Sequence, residues 1–273
     1  MRLDFGWANV ELYASAPYSV RDQSPLCVLG LAFERQRGVH GIDGERRRDF
    51  DAWPGDLAYA APNVEIFSES AHGGEYLAVH VARDAVGLPP ETPLERPRVV
   101  LHGDRRAMLL GAQLRRMLLA PQASALLVEQ HVALLLEHSV ARLKLPQRTP
   151  GAYALERTRH ARVLEYIDAA LVMNGPLGLE QLARVAQMPP LRFLRSFSSA
   201  VGATPHAYIT ERRLQRARAQ LRSSADSVAA IAADCGFAHQ SHLGAVFKEK
   251  LGMSPLQFRT LHGRAGRRAS AGA

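Results

Sequence analysis

Cysteine is nearly absent: Cys27 and Cys235 are the only two in a chain of 273 residues. Two thiols cannot build a disulfide framework or a four-cysteine zinc site, and the pair lacks the CxxC spacing. Apolar runs are short, and none reaches the roughly 18 residues that a membrane-spanning helix needs. The opening stretch MRLDFGWANVELY carries acids and no long apolar core, unlike a secretory leader. No HxH pair occurs, and His40, His72 and His80 stand isolated, so no metal ligand set is expected. What remains is the expectation of a reduced, cytoplasmic protein with no membrane partner and no metal or other cofactor. Hydrophobic residues at 47% and charged residues at 22% exclude wholesale disorder.

The charge that is present is unevenly placed. Residues 1–150 hold 17 Lys+Arg against 18 Asp+Glu, whereas residues 151–273 hold 17 against 8. The net charge of +8 therefore resides entirely in the second half. A basic half joined to a neutral one points to a polyanionic partner, nucleic acid before an anionic membrane.

Local pattern divides the chain at the same place. LCVLGLAFE (26–34), DLAYAAP (56–62), VEIFSES (64–70) and YLAVHVA (76–82) are short and β-prone. Gly38, Gly41, Pro54-Gly55, Pro62-Asn63 and Gly73-Gly74 punctuate them as turns, which suits an antiparallel sandwich or small barrel. From residue 103 the period becomes helical, with apolar faces over 103–119 and 122–144 broken at Pro121. These two helices carry more apolar surface than a hairpin can bury, so they must cover the barrel, a second subunit, or both. LPQRTPGA (145–152) reads as a linker, giving domains 1–150 and 151–273. The second reads as all-α, with helices near 155–173, 179–187, 190–200, 205–222, 227–235, 239–250 and 255–262. Its tail GRAGRRASAGA is small and polar, as in disordered segments.

Within the basic half the sequence repeats with a period of 50: VGATPHAYI (201–209) lies over LGMSPLQFR (251–259). Phe197 matches Phe247, Gly202 matches Gly252, and Pro205 matches Pro255. LEQLARVAQM matches VAAIAADCGF, with one extra residue in the second turn. Thr204 and Ser254 suit helix caps, and the prolines after them suit a first helical position, where the missing N–H has no helical partner. Gly202 and Gly252 suit left-handed helix ends. Each copy is a helix-turn-helix unit. The roughly 18-residue helix between the copies spans about 27 Å. That matches two recognition helices entering successive major-groove turns about 34 Å apart.

These residues resemble the DNA-binding domain of the AraC/XylS family of transcription regulators. The carrying stretches are LEQLARVAQMPPLRFLRSF, GATPHAYITERRLQRARAQL and SVAAIAADCGFAHQSHLGAVFKEKLGMSPLQFR. The resemblance covers about 160 to 262. The first half is similar only loosely, through PGDLAYAAP (54–62), to the family's cupin-like effector-binding and dimerisation domain. The implied architecture is α+β in two domains: a cupin-like β-barrel with two helices, then an all-α domain with two helix-turn-helix motifs.

The resemblance implies that the second helix of each motif enters the major groove. On the first, Leu191, Arg192, Leu194 and Arg195 would face DNA, while Phe193 and Phe197 form core. Arg195 suits a guanine edge, and Arg192 a base or phosphate. On the second, His239, Gln240, Ser241, His242 and Gly244 would face DNA, with Lys248 near phosphate and Leu243, Val246 and Phe247 in the core. Gln240 suits adenine, and His242 a base edge or phosphate. Thr204, Ser254 and Arg218 complete the expected DNA-facing set. The other arginines of that connecting helix divide between phosphate contacts and acids such as Glu211. Two departures from the family pattern stand out. Ala245 occupies a position where arginine is common, and Pro189-Pro190 replaces a hydroxyl cap.

The expected partners are double-stranded DNA, a small-molecule effector, a second copy joined through helices 103–144, and RNA polymerase if the protein activates. Tyr13, His40, Tyr59, Phe67 and His80 are the candidates for an effector lining. Two other readings remain open at this stage. One is a constitutive DNA-binding protein with a ligand-free barrel. The other is an enzyme, either a cupin metalloenzyme or an alkyl-transfer repair protein, which would need a reactive cysteine.

Overall fold

The computed structural model describes residues 2–44, 46–82, 85, 97–120, 123–143, 150–173, 175 and 177–262, with only the backbone of 150–156. The expectations for Pro121, for linker residues 145–149 and for the tail 263–273 lie outside these residues. The chain divides into two compact units, Met1–Thr149 and Pro150–Ala273.

The first unit holds ten strands and two helices among its described residues. The strands are β1 (Arg2–Asp4), β2 (Ala8–Tyr13), β3 (Tyr18–Gln23), β4 (Cys27–Ala32), β5 (Gln36–Ile42), β6 (Arg48–Ala52), β7 (Leu57–Ala60), β8 (Glu65–Ser70), β9 (Tyr76–Val81) and β10 (Arg98–Leu101). They form a six-stranded sheet, β1-β2-β9-β4-β7-β10, and a four-stranded sheet, β3-β8-β5-β6. Every pairing is antiparallel. No described strand joins both sheets, so the expected single barrel is instead two separate sheets. Gly38 and Gly41, read above as turns, lie inside β5 and pair with Phe50 and Phe67.

Helices α1 (Arg105–Leu119) and α2 (Ala125–Leu143) cover one face of the larger sheet. Strand alternation puts Val10, Leu12, Leu29, Leu31, Leu57 and Val79 on that face, each at most 7% exposed. Leu136, Ser139, Val140 and Leu143 of α2 close over Cys27, Leu29, Tyr59 and Val81, leaving a cavity of only about 10 Å³.

Three polar contacts fasten the helices. The buried Arg115 guanidinium of α1 meets Glu75 at 3.2 Å. Trp7 donates its indole N–H to Glu129 of α2 at 2.6 Å. Asp104 caps α1 by accepting the backbone N–H groups of Arg106 and Ala107, and it also meets His138 at 2.9 Å and Arg142 at 3.2 Å. Burial alone would raise the Asp104 carboxyl, but the Ala107 N–H, His138 and Arg142 outweigh burial and hold it below the usual carboxylate range.

The second unit is helical: α3 (Pro150–Met173), α4 (Leu179–Val185), α5 (Pro190–Val201), α6 (Pro205–Ser223), α7 (Val228–Asp234), α8 (Gln240–Leu251) and α9 (Pro255–His262). Its core forms around Phe193, Phe197, Phe247 and Phe258, all fully buried. No helix among the described residues is long and apolar enough to cross a membrane.

Candidate nucleic-acid interface

The repeat in the sequence is a repeat in backbone geometry. Gly202 ends α5 at φ 75°, and Gly252 ends α8 at φ 74°, both in the left-handed region that glycine enters without a side-chain clash. Thr204 then caps α6 by accepting the Ala207 N–H at 3.2 Å. Ser254 accepts the Gln257 N–H at 3.2 Å while Gln257 accepts the Ser254 N–H at 2.8 Å, a reciprocal capping box. Both hydroxyls serve the helix ends.

The two tight turns also match. In the first, the N–H of Met188 bonds to the Ala183 carbonyl; in the second, the N–H of Phe237 bonds to that of Ala232. Gly236 takes φ 77° in one turn, whereas Gln187 takes φ 54° in the other. A non-glycine residue there costs on the order of 1 kcal/mol, so the first turn is the more strained. Ala183 and Ala232 are buried at the crossings, where a larger side chain would force the helices apart.

Each second helix buries one face and presents the other. On α5, Phe193 and Phe197 enter an aromatic cluster with His160 and Tyr208, with ring centroids 5.5–6.0 Å apart. The opposite face leaves Leu191, Arg192 and Arg195 exposed and Leu194 half-buried. Leu191 is 70% exposed. On α8, Leu243, Val246, Phe247 and Leu251 are buried, whereas Gln240, Ser241, His242, Ala245 and Lys248 are exposed. Gly244 is half-buried, and a Cβ added there would meet nothing within 4 Å. Its mid-helix place therefore reflects open space rather than a close contact within the unit.

His239 caps α8. Its Nδ1 accepts the His242 N–H at 3.1 Å and lies 2.7 Å from the Ser241 hydroxyl. Pro189, at the corresponding start of α5, makes no side-chain cap. The His242 ring meets Phe237 edge-on at 5.4 Å.

The structure corrects the placement of Arg218. It is 4% exposed, with its guanidinium 5.8 Å from the Phe258 ring centroid, so it belongs to the interior of the helical unit. Other arginines of α6 are also used internally. Arg212 pairs with Asp168 at 3.0 Å, and Arg216 pairs with Asp234 at 3.5 Å and donates to the Leu171 carbonyl. Arg213 is half-buried, and desolvation lowers its guanidinium from the usual value. Lys250 pairs with Glu249 at 2.9 Å.

A residue that sequence reasoning missed adjoins the first reading helix. Arg159 of α3 joins Met188, Arg192, Arg195 and Ser196 around a concave space of about 420 Å³. The signal for it was present in the sequence. His160, Val163, Leu164, Ile167 and Leu171 are the buried stripe of α3, and Arg159 lies off that stripe, exposed.

The candidate effector residues do not converge. Tyr13 and His80 share the face of the larger sheet opposite the helices, while Tyr59 lies on the helix-covered face, its hydroxyl 3.2 Å from the Cys27 sulfur. His40 pairs with Ser68 and stacks on Phe50 at 5.5 Å. Phe67, the residue before Ser68, must point to the other face, where the Arg47 guanidinium lies 3.9 Å from its ring centroid. Tyr59 and Phe67 are thus excluded from any lining that holds His40 and His80. Burial, aided by a hydrogen bond to Glu11, pushes the Tyr13 hydroxyl up to about 12, and burial lowers His80. Both groups are neutral at neutral pH.

Both thiols are fully buried, and burial raises Cys235 to about 11, which keeps it protonated and weakly nucleophilic. Among the described residues no three His, Cys, Asp or Glu side chains gather as a metal site.

The family model described as a helix-turn-helix domain matches residues 182–260. The HTH-type transcriptional regulator Rv1931c of Mycobacterium tuberculosis is 42% identical over 86 residues, 32% of this chain and 33% of that protein. The HTH-type transcriptional regulator MtrA of Neisseria gonorrhoeae is 35% identical over 81 residues, 30% of this chain and 27% of that protein. The HTH-type transcriptional activator RhaS of Yersinia pestis is 42% identical over 72 residues, 26% of each. The chain thus spans a third or less of these relatives. The DNA-binding domain of AdpA, solved with a target DNA, is 33% identical, covers 39% of this chain and 96% of that one, and superposes with a TM-score of 0.35.

Proposed function

We propose, on the premise that residues 182–260 are a helix-turn-helix domain of the AraC type, that this protein is a sequence-specific transcription regulator of double-stranded DNA. One observation carries the reading: α5 and α8 each bury a phenylalanine-anchored face and leave a polar face outward, once per repeat. One protomer then reads two segments of major groove. Arg195 and Arg192 supply guanine-type and phosphate contacts on one segment. His239, Gln240, Ser241 and His242 supply shorter-range polar contacts on the other.

The first unit is the sensing and dimerising part in this reading. We infer a cupin-like role for it, with a small-molecule effector on the surfaces that carry Tyr13, His40 and His80. Leu109, Leu126, Leu127 and Leu134 remain exposed on α1 and α2, which supports a homodimer through these helices. Effector binding shifts the population of the DNA-competent state. The relatives termed activators favour an activating role, with RNA polymerase as the further partner and the cytoplasm as the setting. No cofactor and no catalytic step enter this reading.

Site selection from random DNA with the full-length protein, followed by footprinting, tests it. The expected result is a preferred site with two protected patches one helical turn apart per protomer. Binding without sequence preference would overturn the reading.

A further inference from the structure

We propose that the concave space beside α5 is a seat for one phosphate of the DNA backbone, with Arg159 of α3 as its anchoring residue. The proposal rests on the regulator reading for the identity of the polymer. Its chemistry rests on the site alone. Arg159, Arg192 and Arg195 line one space of about 420 Å³, with Met188 and Ser196 completing the lining. No described carboxylate pairs with any of the three, whereas Asp168 and Asp234 take up Arg212 and Arg216 on the same unit. Three like charges on one concave wall repel each other, and a bound anion relieves that repulsion. Guanidinium groups match the two non-bridging oxygens of a phosphodiester in a bidentate fork, which suits this wall to a backbone phosphate.

Arg159 differs from the other two in its support. It stands on α3, outside the helix that reads bases, so it meets the strand flanking the groove rather than base edges. Its neighbour His160 is fully buried and bonds to Ser196 of α5 at 2.9 Å. That bond ties the Arg159 turn of α3 to α5. A phosphodiester and a free phosphorylated molecule share this chemistry. The DNA backbone is favoured because Arg192 and Arg195, two of the lining residues, also form the outward face of α5.

The test uses the full-length protein, R159Q and R159K, on the selected site and on random DNA across a salt series, with inorganic pyrophosphate as the free-anion probe. R159Q should flatten the slope of log affinity against log salt by roughly 0.9, one phosphate. The advantage of the parent protein over R159Q then shrinks about 3.5-fold between 50 and 200 mM salt. The loss should be equal on both DNAs, base preference should be unchanged, and R159K should restore most of the slope. An unchanged slope together with Arg159-dependent pyrophosphate binding would overturn the DNA source and assign the seat to a free phosphate. An unchanged slope with no such binding would overturn the seat altogether. A parent protein that binds DNA while R159Q matches it defeats this inference alone. A parent protein that binds no DNA defeats the regulator reading and the DNA source with it.

Discussion

The Nδ1 atom of His239 accepts the backbone N–H of His242 at 3.1 Å. A backbone N–H only donates, so Nδ1 carries no proton in this arrangement and the ring proton sits on Nε2. The cap and the ring's outward donor are therefore one feature. H239A should cost about 1 kcal/mol of stability through loss of the cap, whereas H239N should retain most of it. Urea unfolding of the two variants checks this, and equal losses would mean that the cap contributes nothing.

Arg195 is exposed on α5 and has no carboxylate partner among the described residues. R195A should weaken binding to the selected site by about 1–3 kcal/mol and relax preference at one base pair. Titration against the site and its single-base variants reads both effects. Equal loss on every sequence would reduce Arg195 to a charge contact.

Gly244 has room for a side chain within its own unit. G244A should stabilise the protein by about 0.5–1 kcal/mol, because alanine loses less backbone freedom in a helix. Thermal unfolding tests the gain. If stability rises while affinity for DNA falls, the space left by Gly244 is filled by the bound duplex.

Arg218 is interior, over Phe258. R218A should therefore lower stability by about 1–3 kcal/mol through lost packing and cation–π contact. The salt slope of DNA binding should stay as in the parent. A flatter slope at unchanged stability would return Arg218 to the DNA surface.

The Asp104 carboxyl is held low in the folded state, so it contributes stability above its unfolded value, near 3.9. That contribution is fully present at neutral pH and is lost as pH falls through the folded value. D104N keeps a capping oxygen but removes the charge seen by His138 and Arg142. The stability difference between parent and D104N should be largest near neutral pH and shrink in acid. A difference independent of pH would show that the cap alone matters.

The helical unit was legible in the chain itself. The expected helix 190–200 lies within Pro190–Val201, and 205–222 lies within Pro205–Ser223. The determinants there are local: proline in the first turn, glycine just past the end, and an apolar residue every third or fourth place. The repeat carried the same information twice. The β unit was less legible. β1, β2, β3, β5, β6 and β10 went unassigned, and the glycines inside β5 looked like turns.

What tertiary structure alone decided is which side of each element meets what. Tyr59 and Phe67 are strand residues in sequence terms as good as His80. Their faces follow from pairing register, and a shift of one residue would exchange every side chain between faces. Arg218 and Arg195 are both helical arginines with apolar residues nearby. One is covered because α9 brings Phe258 across it, a contact 40 residues away along the chain. The other stays outward because nothing in its unit packs there. The sequence by itself determined the helices of the repeat, their ends and the repeat itself, because these follow from interactions within a few residues, whereas α3 begins at Pro150, inside the expected linker. Burial, strand register and the gathering of Arg159 with Arg192 and Arg195 came only from the fold, because they depend on elements that meet from distant parts of the chain.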